Sequence, residues 1–281
     1  MADWRPSDRQ RERLAYRHRQ AFRSGALAAA STVLVLAALG IVTVRSPGWD
    51  RVRATYFDLD YARTVLPDLA SAFVLNVKLF VVAEVLILVV ALLVAVVRVV
   101  PAPALAPIKV LAVVYTDVFR GTPTLLVIFL VCFGLPALQL QGTPTDIFWL
   151  GVIALTLSYG AYVAEVIRAG ISSVHPSQWA ASRSLGLTYA QTMRHVVLPQ
   201  ALRRVMPPLL NDFVSLQKDT ALVATAGLVE ILREAQINAS LDFNFTPYVV
   251  AAGFFVVMTV PLARLADWLA LRQLRREQGA D

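Results

Sequence analysis

Apolar residues occur in long runs along the chain, and each run is bounded by short polar or charged segments. Six runs are long enough to cross a membrane, because about 20 helical residues span about 30 Å of hydrocarbon. They lie at 24–44, 69–100, 105–138, 147–167, about 205–225 and 243–263, and the last is compatible with an extension to about residue 271. The pattern predicts an all-α polytopic membrane protein with six transmembrane helices.

The third run is too long for one straight helix across a bilayer. A single helix from Leu105 to Leu138 would measure about 50 Å, which exceeds the hydrocarbon thickness. Gly121, Thr122 and Pro123 stand near its middle and are typical of a kink. We therefore expect a bent or interrupted span at these residues.

Cationic residues are distributed unevenly between the two sides of this bundle. With the N-terminus inside, most Lys and Arg fall in the N-terminal arm, the 98–109 turn, the 168–204 loop and the C-terminal tail. The outer segments hold only Arg45, Arg51, Arg53, Arg63 and Arg233. Because cytoplasmic loops carry an excess of Lys and Arg, both termini are predicted to be cytosolic.

Three segments outside the apolar runs carry their own expectations. Residues 45–67 are polar and contain prolines and a glycine, which predicts an external loop, and residues 226–242 predict a short amphipathic external helix and turn. The arginine-rich arm at 1–23 is typical either of a helix on the inner membrane surface or of a solvated tail that only sets the orientation.

Composition narrows the functional classes. Of the 281 residues 57% are hydrophobic and 16% are charged, and the mean hydropathy is +0.62, whereas a soluble domain carries about 25% charged residues. The net charge of +7 comes largely from arginines at the ends of apolar runs, so it indicates membrane orientation and not nucleic-acid binding. Cys132 is the only cysteine, which excludes an internal disulfide and a thiol-based metal site.

The sequence also argues against an enzyme. It contains no Gly-x-x-x-x-Gly-Lys-Ser/Thr phosphate loop, so we expect no ATP hydrolysis by this chain itself. His18, His175 and His195 have neither metal-ligand nor catalytic-triad spacing. A membrane-bound enzyme is therefore the least supported of the functional classes.

One polar stretch, residues 171–199, separates the fourth run from the fifth and predicts two short helices. Pro176 and Ser177 predict the start of the first, with the Ser177 hydroxyl as its cap, and Gly186 predicts its end in the left-handed conformation. Thr188 and Gln191 form a Thr-x-x-Gln capping box that opens the second, which Pro199 is expected to limit. A compact knob of this kind suits docking onto a cytosolic partner.

The same stretch resembles the signature loop of ABC importer membrane subunits. The family pattern is Glu-Ala-Ala, three residues, Gly, nine residues, and Ile-x-Leu-Pro. It stands here as Ala180-Ala181-Ser182, Gly186 and Val196-Val197-Leu198-Pro199, with the spacing kept throughout. Further matches are typical of the polar amino acid uptake branch: Phe119-Arg120-Gly121-Thr122-Pro123, Ala164-Glu165, Leu185-Gly186-Leu187-Thr188, Leu198-Pro199-Gln200-Ala201 and Lys218-Asp219-Thr220.

The resemblance implies a fold and an assembly. It covers roughly residues 65–272 as a five-helix core, with 24–44 as an extra N-terminal helix, 1–23 as a cytosolic arm and 273–281 as a cytosolic tail. It implies a permease subunit in the cytoplasmic membrane of a prokaryote, importing polar amino acids with two ATPase subunits, a second permease copy or homologous permease, and an extracytoplasmic binding protein. ATP and Mg would be bound by the ATPase, and this chain would bind no cofactor.

The resemblance also assigns the 171–199 loop to coupling with the ATPase. The coupling residues that it implies are Ser177, Gln178, Trp179, Ala180, Ala181, Ser182, Arg183, Leu185, Gly186, Leu187, Thr188, Leu198 and Pro199. The sequence departs from the family at Ala180, where the pattern has a glutamate that would complete a capping box with Ser177. We therefore expect docking to depend more on Trp179, Arg183 and Leu187.

Charged side chains inside the predicted spans are candidates for a translocation pathway. We select Glu84, Arg120, Thr122, Lys218, Asp219 and Thr220, because they offer both donors and acceptors to an amino acid. The alternative is structural pairing, of Asp117 with Arg120 and of Lys218 with Glu84. Glu165 and Arg168 are expected to form a local ion pair at the entrance to the loop.

Other functional classes stay open at this point. An opine or small osmolyte would suit an ABC permease equally well. An ion-coupled secondary transporter is a further alternative, although the chain has no strong internal repeat.

Overall fold

A computed structural model describes residues 8–277, which are helical apart from short connections. The chain divides into one unit that ends at Thr55 and a second that begins at Tyr56. The first holds α1 (Asp8–Val44) and all but the last residue of α2 (Trp49–Tyr56). The second holds α3 (Leu59–Val99), α4 (Ala106–Gly121), α5 (Thr124–Phe129), α6 (Leu135–Ala137), α7 (Ile147–Ser172), α8 (Pro176–Ser184), α9 (Tyr189–Thr192), α10 (Leu198–Asp219), α11 (Ile231–Asp242) and α12 (Thr246–Glu277).

In the first unit, α1 runs without a break through the predicted arm and the first predicted span. Its segment Phe22–Val44 is long and apolar enough to cross a membrane, and its most apolar window buries none of its residues within the chain. Residues 1–7 of the predicted arm and residues 278–281 of the predicted tail lie outside the described residues.

The segment 45–67, predicted as an external loop, is mostly helical. It contains α2 and the first turns of α3. The Asp58 carboxylate caps α3 by accepting hydrogen bonds from the backbone N–H groups of Asp60 and Tyr61. Pro67 lies inside α3, where burial of Val65 and Leu69 offsets the hydrogen bond that proline removes.

The second unit is organised around α7, which packs against α3, α4, α5 and α10. Side chains of α3, α5, α7 and α10 form one apolar cluster that includes Leu79, Ile128, Leu155 and Leu216. Gly170 of α7 lies against Val205 of α10, so closely that a Cβ at this position would overlap the valine side chain. The ends of α7 and α10 that flank the 171–199 loop are therefore in direct contact.

The predicted interruption of the third span is confirmed. The helical segments Pro103–Gly121 and Thr124–Ala137 meet at an angle of 109° across Thr122 and Pro123. Pro123 has no N–H to continue the α4 hydrogen-bond ladder, and Thr122 adopts an extended conformation between the two segments. A π-helical turn at Leu130–Gly134 joins α5 to α6.

Pro199 does not limit the second short helix, contrary to the sequence-based expectation. The chain stays helical from Tyr189 to Asp219, through a π-helical turn at Met193–Val197. Pro199 lies in the first turn of α10. The wider π turn accommodates the carbonyl groups that a proline leaves without their usual partner.

The helices agree with the six predicted spans, although one of them is less apolar than the others. Within the described residues, four helices are long and apolar enough to cross a membrane, and the bent pair makes a fifth. The remaining predicted span, at about 205–225, corresponds to α10. It is not among these helices because it carries Arg203, Arg204, Asp212, Lys218 and Asp219. It still packs against α7 and α12 in the same bundle, and α11 forms within the predicted 226–242 segment.

Candidate functional site

The predicted knob exists and consists of α8 and α9, residues 176–192. Its first helix is capped differently from the prediction. His175 is the N-cap residue, and its Nδ1 accepts a hydrogen bond from the Ser177 backbone N–H at 3.2 Å. The Ser177 hydroxyl hydrogen-bonds to the same ring at 2.7 Å and is therefore not the cap.

The corner between the two helices follows the sequence closely. Gly186 has φ +80°, which is the left-handed conformation expected of a C′ glycine. The Leu187 N–H donates to the Ser182 carbonyl, and the Gly186 N–H donates to the Arg183 carbonyl. The predicted capping box is confirmed, since Thr188 and Gln191 exchange side-chain to backbone hydrogen bonds of 3.3 and 2.9 Å.

The base of the knob packs onto the ends of the long helices. Ile171, Val174, Val197 and Ala201 form a buried cluster. Residues packed against this cluster come from the knob, from two long helices and from the π-helical turn, and they are Trp179, Val99, Ile167 and Met193. The Trp179 and Tyr189 rings stack with their centroids 5.6 Å apart, and the Tyr189 hydroxyl donates to the Val99 carbonyl at 3.5 Å. Trp179 therefore joins the knob to the bundle.

The most exposed apolar side chain of the knob is not one of those expected to dominate docking. Leu185 is 81% exposed, whereas Leu187 and Trp179 are only partly exposed. Ala180 is also exposed and lies five positions after the cap, so a glutamate there would not occupy the N3 position of this helix. The expected capping box between positions 177 and 180 is therefore wrong, and Gln178 holds the N3 position.

The predicted ion pair at the loop entrance is confirmed, and it has a member that the sequence did not reveal. Glu165 and Arg168 form a bidentate contact, with distances of 2.6 and 3.0 Å. Arg98 of α3 donates from Nη1 to Glu165 Oε2 at 2.7 Å and to Thr116 Oγ1 of α4 at 3.0 Å. We call Arg98, Thr116, Glu165 and Arg168 the charged node. It joins α3, α4 and α7 next to the knob.

Side chains on neighbouring helices hold several of the candidate pathway residues. The Asp219 carboxylate accepts from the Tyr159 hydroxyl at 2.7 Å, and Thr220 Oγ1 lies 3.3 Å from the Asn76 amide nitrogen. The Arg120 carbonyl, at the bend, accepts from the Tyr162 hydroxyl at 3.0 Å. Lys218 is exposed.

Two of the structural pairings considered from the sequence are wrong. Among the described residues, ion pairs form at Arg63–Asp60, Arg98–Glu165 and Arg168–Glu165. Neither Asp117 with Arg120 nor Lys218 with Glu84 is among them. Thr122 donates to the Val118 carbonyl of its own helix, and Glu84 is half-buried on α3.

A buried polar contact with no local sequence signal lies near the middle of α3, away from the end that the knob contacts. Asn76 donates to Glu230 Oε2 at 2.6 Å and accepts from the Ile231 backbone N–H at 3.1 Å. Glu230 is fully buried and caps α11 by accepting from the Arg233 N–H. The two side chains tie the connection before α11 to α3. Their separation of 154 residues leaves no local sequence signal.

Burial raises the pKa of the Glu230 carboxyl above its ordinary value, and its hydrogen bonds only partly oppose this. A carboxyl whose pKa is higher in the folded state contributes stability that is complete below the unfolded pKa and is lost as pH rises through the folded pKa. We expect the stability of the wild type relative to Glu230→Gln to fall as pH rises above about 4, by up to about 1.4 kcal/mol per pH unit between the two pKa values.

The measurement is denaturant unfolding of both proteins in the same lipid nanodiscs over a series of pH values. All other titrating groups are shared, so they cancel in the difference. A difference that stays constant with pH, or that rises, would contradict the assignment.

A cavity of about 550 Å³ opens beside this connection. It is lined by Ala224–Gly227, Leu232, Arg233, Gln236 and Tyr248. Arg233 donates to Gln236 at 2.7 Å. The cavity and the knob lie toward opposite ends of α3, a helix about 60 Å long.

Comparison with known proteins decides the family. Residues 104–275 match the family described as "binding-protein-dependent transport system inner membrane component". The chain belongs to this family of ABC permeases. It is a multi-pass membrane protein whose family associates with an ATPase, which hydrolyses the ATP, and with a solute-binding protein.

Two curated relatives illustrate the similarity. The arginine transport system permease protein ArtQ of Bacillus subtilis (strain 168) is 33% identical over 220 residues, which are 78% of this chain and 98% of ArtQ. The probable amino-acid ABC transporter permease protein PatM of Vibrio harveyi is 37% identical over 75% of this chain and 94% of that protein.

Solved structures agree with the permease fold. A chain from a crystal structure of an amino acid ABC transporter with histidines matches with a TM-score of 0.70 and 35% identity, covering 76% of this chain and 98% of its own length. A chain of the MetNI methionine ABC transporter matches with a TM-score of 0.55, 18% identity and 74% coverage of this permease. At that identity, the second match supports the fold alone.

Proposed function

We propose that this permease imports polar amino acids across the cytoplasmic membrane of a prokaryote. The amino acids named for ArtQ and for the solved transporter support this substrate class, as does the set of donors and acceptors at residues 84, 120 and 218–220. The assembly contains two copies of the ATPase, a second copy of this permease or a homologous one, and one external binding protein. ATP and Mg bind to the ATPase subunits.

In this proposal the knob faces the cytosol, and both termini lie on the same side. The excess of Lys and Arg in the knob, the arm and the C-terminal segment supports that orientation. The core comprises residues 65–272, and α1 is an additional membrane helix. The cavity at Arg233 then faces the binding protein.

The observation that carries the proposed coupling is the knob itself. It is a two-helix element that packs against the bundle through Trp179 and Tyr189, and it exposes Leu185. Insertion of this exposed apolar side chain into a groove of a partner would remove its surface from water, which is favourable. We assign the coupling residues named in the sequence to this contact, with Leu185 in place of Trp179 as the projecting side chain.

Gly186→Pro tests the coupling directly. Proline fixes φ near −65° and cannot adopt the +80° of this corner, so the two helices cannot keep their relative direction. We expect the variant to reach the membrane but to lose co-purification with the ATPase subunit. Gly186→Ala adds a Cβ into open space at a conformational cost of about 1–2 kcal/mol and is expected to retain most of the ATPase.

Gly142→Pro is the matched control. Gly142 has φ +86° and open surroundings, and it lies in the connection between α6 and α7 outside the knob. We expect this variant to retain the ATPase. Wild-type amounts of ATPase with Gly186→Pro would exclude docking through the corner.

A further inference from the structure

The charged node has a geometry that exceeds what a local ion pair needs. Arg168 and Glu165 are one turn apart on α7 and satisfy each other through two hydrogen bonds. Arg98 adds a second guanidinium to the same carboxylate, although it is only 12% exposed and its desolvation is unfavourable. Two guanidinium groups therefore share one carboxylate, and Arg98 also reaches Thr116 of a third helix.

Arg98 is placed to connect α7, which leads directly into the knob, with α3 and α4, which do not adjoin the knob in sequence. Its Nη1 contacts Glu165 of α7 and Thr116 of α4, while its own backbone belongs to the last turn of α3. Thr116 is fully buried and donates its hydroxyl proton to carbonyl groups of its own helix, so its oxygen is fixed in place to accept from Arg98. One side chain therefore links three helices.

The knob contacts the residue next to Arg98. Val99 packs on the cluster beneath Trp179, and its carbonyl accepts from the Tyr189 hydroxyl. A displacement of the knob would therefore move the end of α3 at Val99. The adjacent residue, Arg98, hydrogen-bonds to α4 through Thr116. The far end of α4 is the 109° bend at residues 121–124.

We infer that Arg98 is a positioning residue that transmits displacement of the knob to α4 and its bend through Thr116. The inference rests on the proposed coupling function of the knob. Two other contacts supply competing links, because the Tyr115 hydroxyl of α4 donates to the Leu157 carbonyl of α7 and the Tyr162 hydroxyl of α7 donates to the Arg120 carbonyl at the bend. Both contacts lie farther from the knob along α7 than Glu165 does, so loss of Arg98 weakens the transmission without removing it.

Two substitutions separate transmission from folding. Arg98→Met leaves Glu165 paired with Arg168, so no carboxylate loses its only partner. Thr116→Val keeps the side-chain shape and the ion pair and removes the hydroxyl, which is the acceptor for Arg98 and donates only to carbonyl groups of its own helix. Arg63→Met is the control, because it removes an arginine from the other end of α3 whose ion pair is largely exposed.

The readout is movement at the bend. Gly121 is exposed and has open space around it, and Cys132 is buried, so bimane-maleimide attached at Gly121→Cys reports on this site. The complex of the permease with its ATPase is reconstituted in nanodiscs, and the fluorescence change on trapping with ATP and vanadate is measured. The amount of ATPase retained and its rate of ATP hydrolysis are measured on the same samples.

We expect Arg98→Met and Thr116→Val to retain the ATPase and to hydrolyse ATP, while the fluorescence change falls by about threefold to tenfold. Arg98→Lys keeps the positive charge but lacks the planar set of guanidinium donors, so we expect its fluorescence change to lie between those of the wild type and Arg98→Met. Arg63→Met is expected to match the wild type. A wild-type fluorescence change with Arg98→Met and Thr116→Val, or loss of the ATPase from them, would overturn the inference and leave the proposed function standing. Failure of the wild-type chain to retain the ATPase would overturn both.

Discussion

Uptake is expected to fall by about 10-fold to 100-fold when Lys218 is replaced by alanine, with assembly unaffected. Lys218 lies in the last turn of α10, is exposed, and has no ion-pair partner among the described residues. Its neighbour Asp219 is held by Tyr159. A cation in a predicted membrane span is unfavourable unless it meets water or an anion, and the substrate carboxylate is an anion. Loss of a charge-assisted hydrogen bond of about 1.5–3 kcal/mol lowers binding by about 10-fold to 100-fold.

The measurement is uptake of labelled L-arginine and L-glutamine by liposomes containing the whole assembly, with ATP inside. Co-purification with the ATPase establishes assembly. Lys109→Ala is the matched control, because Lys109 lies in the first turn of α4, next to the short turn that follows α3. Normal uptake by Lys218→Ala would remove this side chain from the pathway.

Glu165→Gln is expected to destabilise the permease by about 3 kcal/mol. The substitution keeps the size of the side chain but removes the one carboxylate shared by Arg98 and Arg168. Arg98 is almost completely withdrawn from solvent and would be left as a buried cation without a counter-charge. Arg168 is about a third exposed, so water compensates part of its loss, and the expected value therefore lies at the lower end of the range for broken buried pairs.

Unfolding by a denaturing detergent, followed by tryptophan fluorescence, would measure this change. Asp60→Asn is the control, because it breaks the exposed Arg63–Asp60 pair and is expected to alter the free energy of unfolding by less than about 0.5 kcal/mol. If Glu165→Gln and Asp60→Asn had equal effects, the node would not stabilise the helix ends.

Local signals in the sequence predicted the knob well. The left-handed Gly186, the Thr188–Gln191 capping box and the bend at Pro123 depend on residues within a few positions of one another. Such preferences act within one or two turns and are visible in a short window. The same reasoning failed at His175, since an imidazole is not among the usual cap residues.

Contacts between distant positions could not be predicted in this way. Arg98 and Glu165 are 67 residues apart, and Asn76 and Glu230 are 154 apart. Their meeting depends on how α3 rotates against α7 and α11, which the hydrophobic pattern leaves undetermined because these helices bury residues over much of their circumference. The prediction that Pro199 limits the second short helix was wrong because a proline is equally compatible with ending one helix and with beginning the next.

Almost every hydrogen bond that shapes the knob joins residues no more than five positions apart. Ser182 and Ser184 bond back to carbonyl groups of their own helix, and the corner and the capping box close within the same short segment. The knob is therefore ordered before any partner arrives, and binding it freezes few additional backbone or side-chain rotations. Because ordering of that kind opposes association, a small contact on such a preformed surface can still support a stable complex through repeated transport cycles.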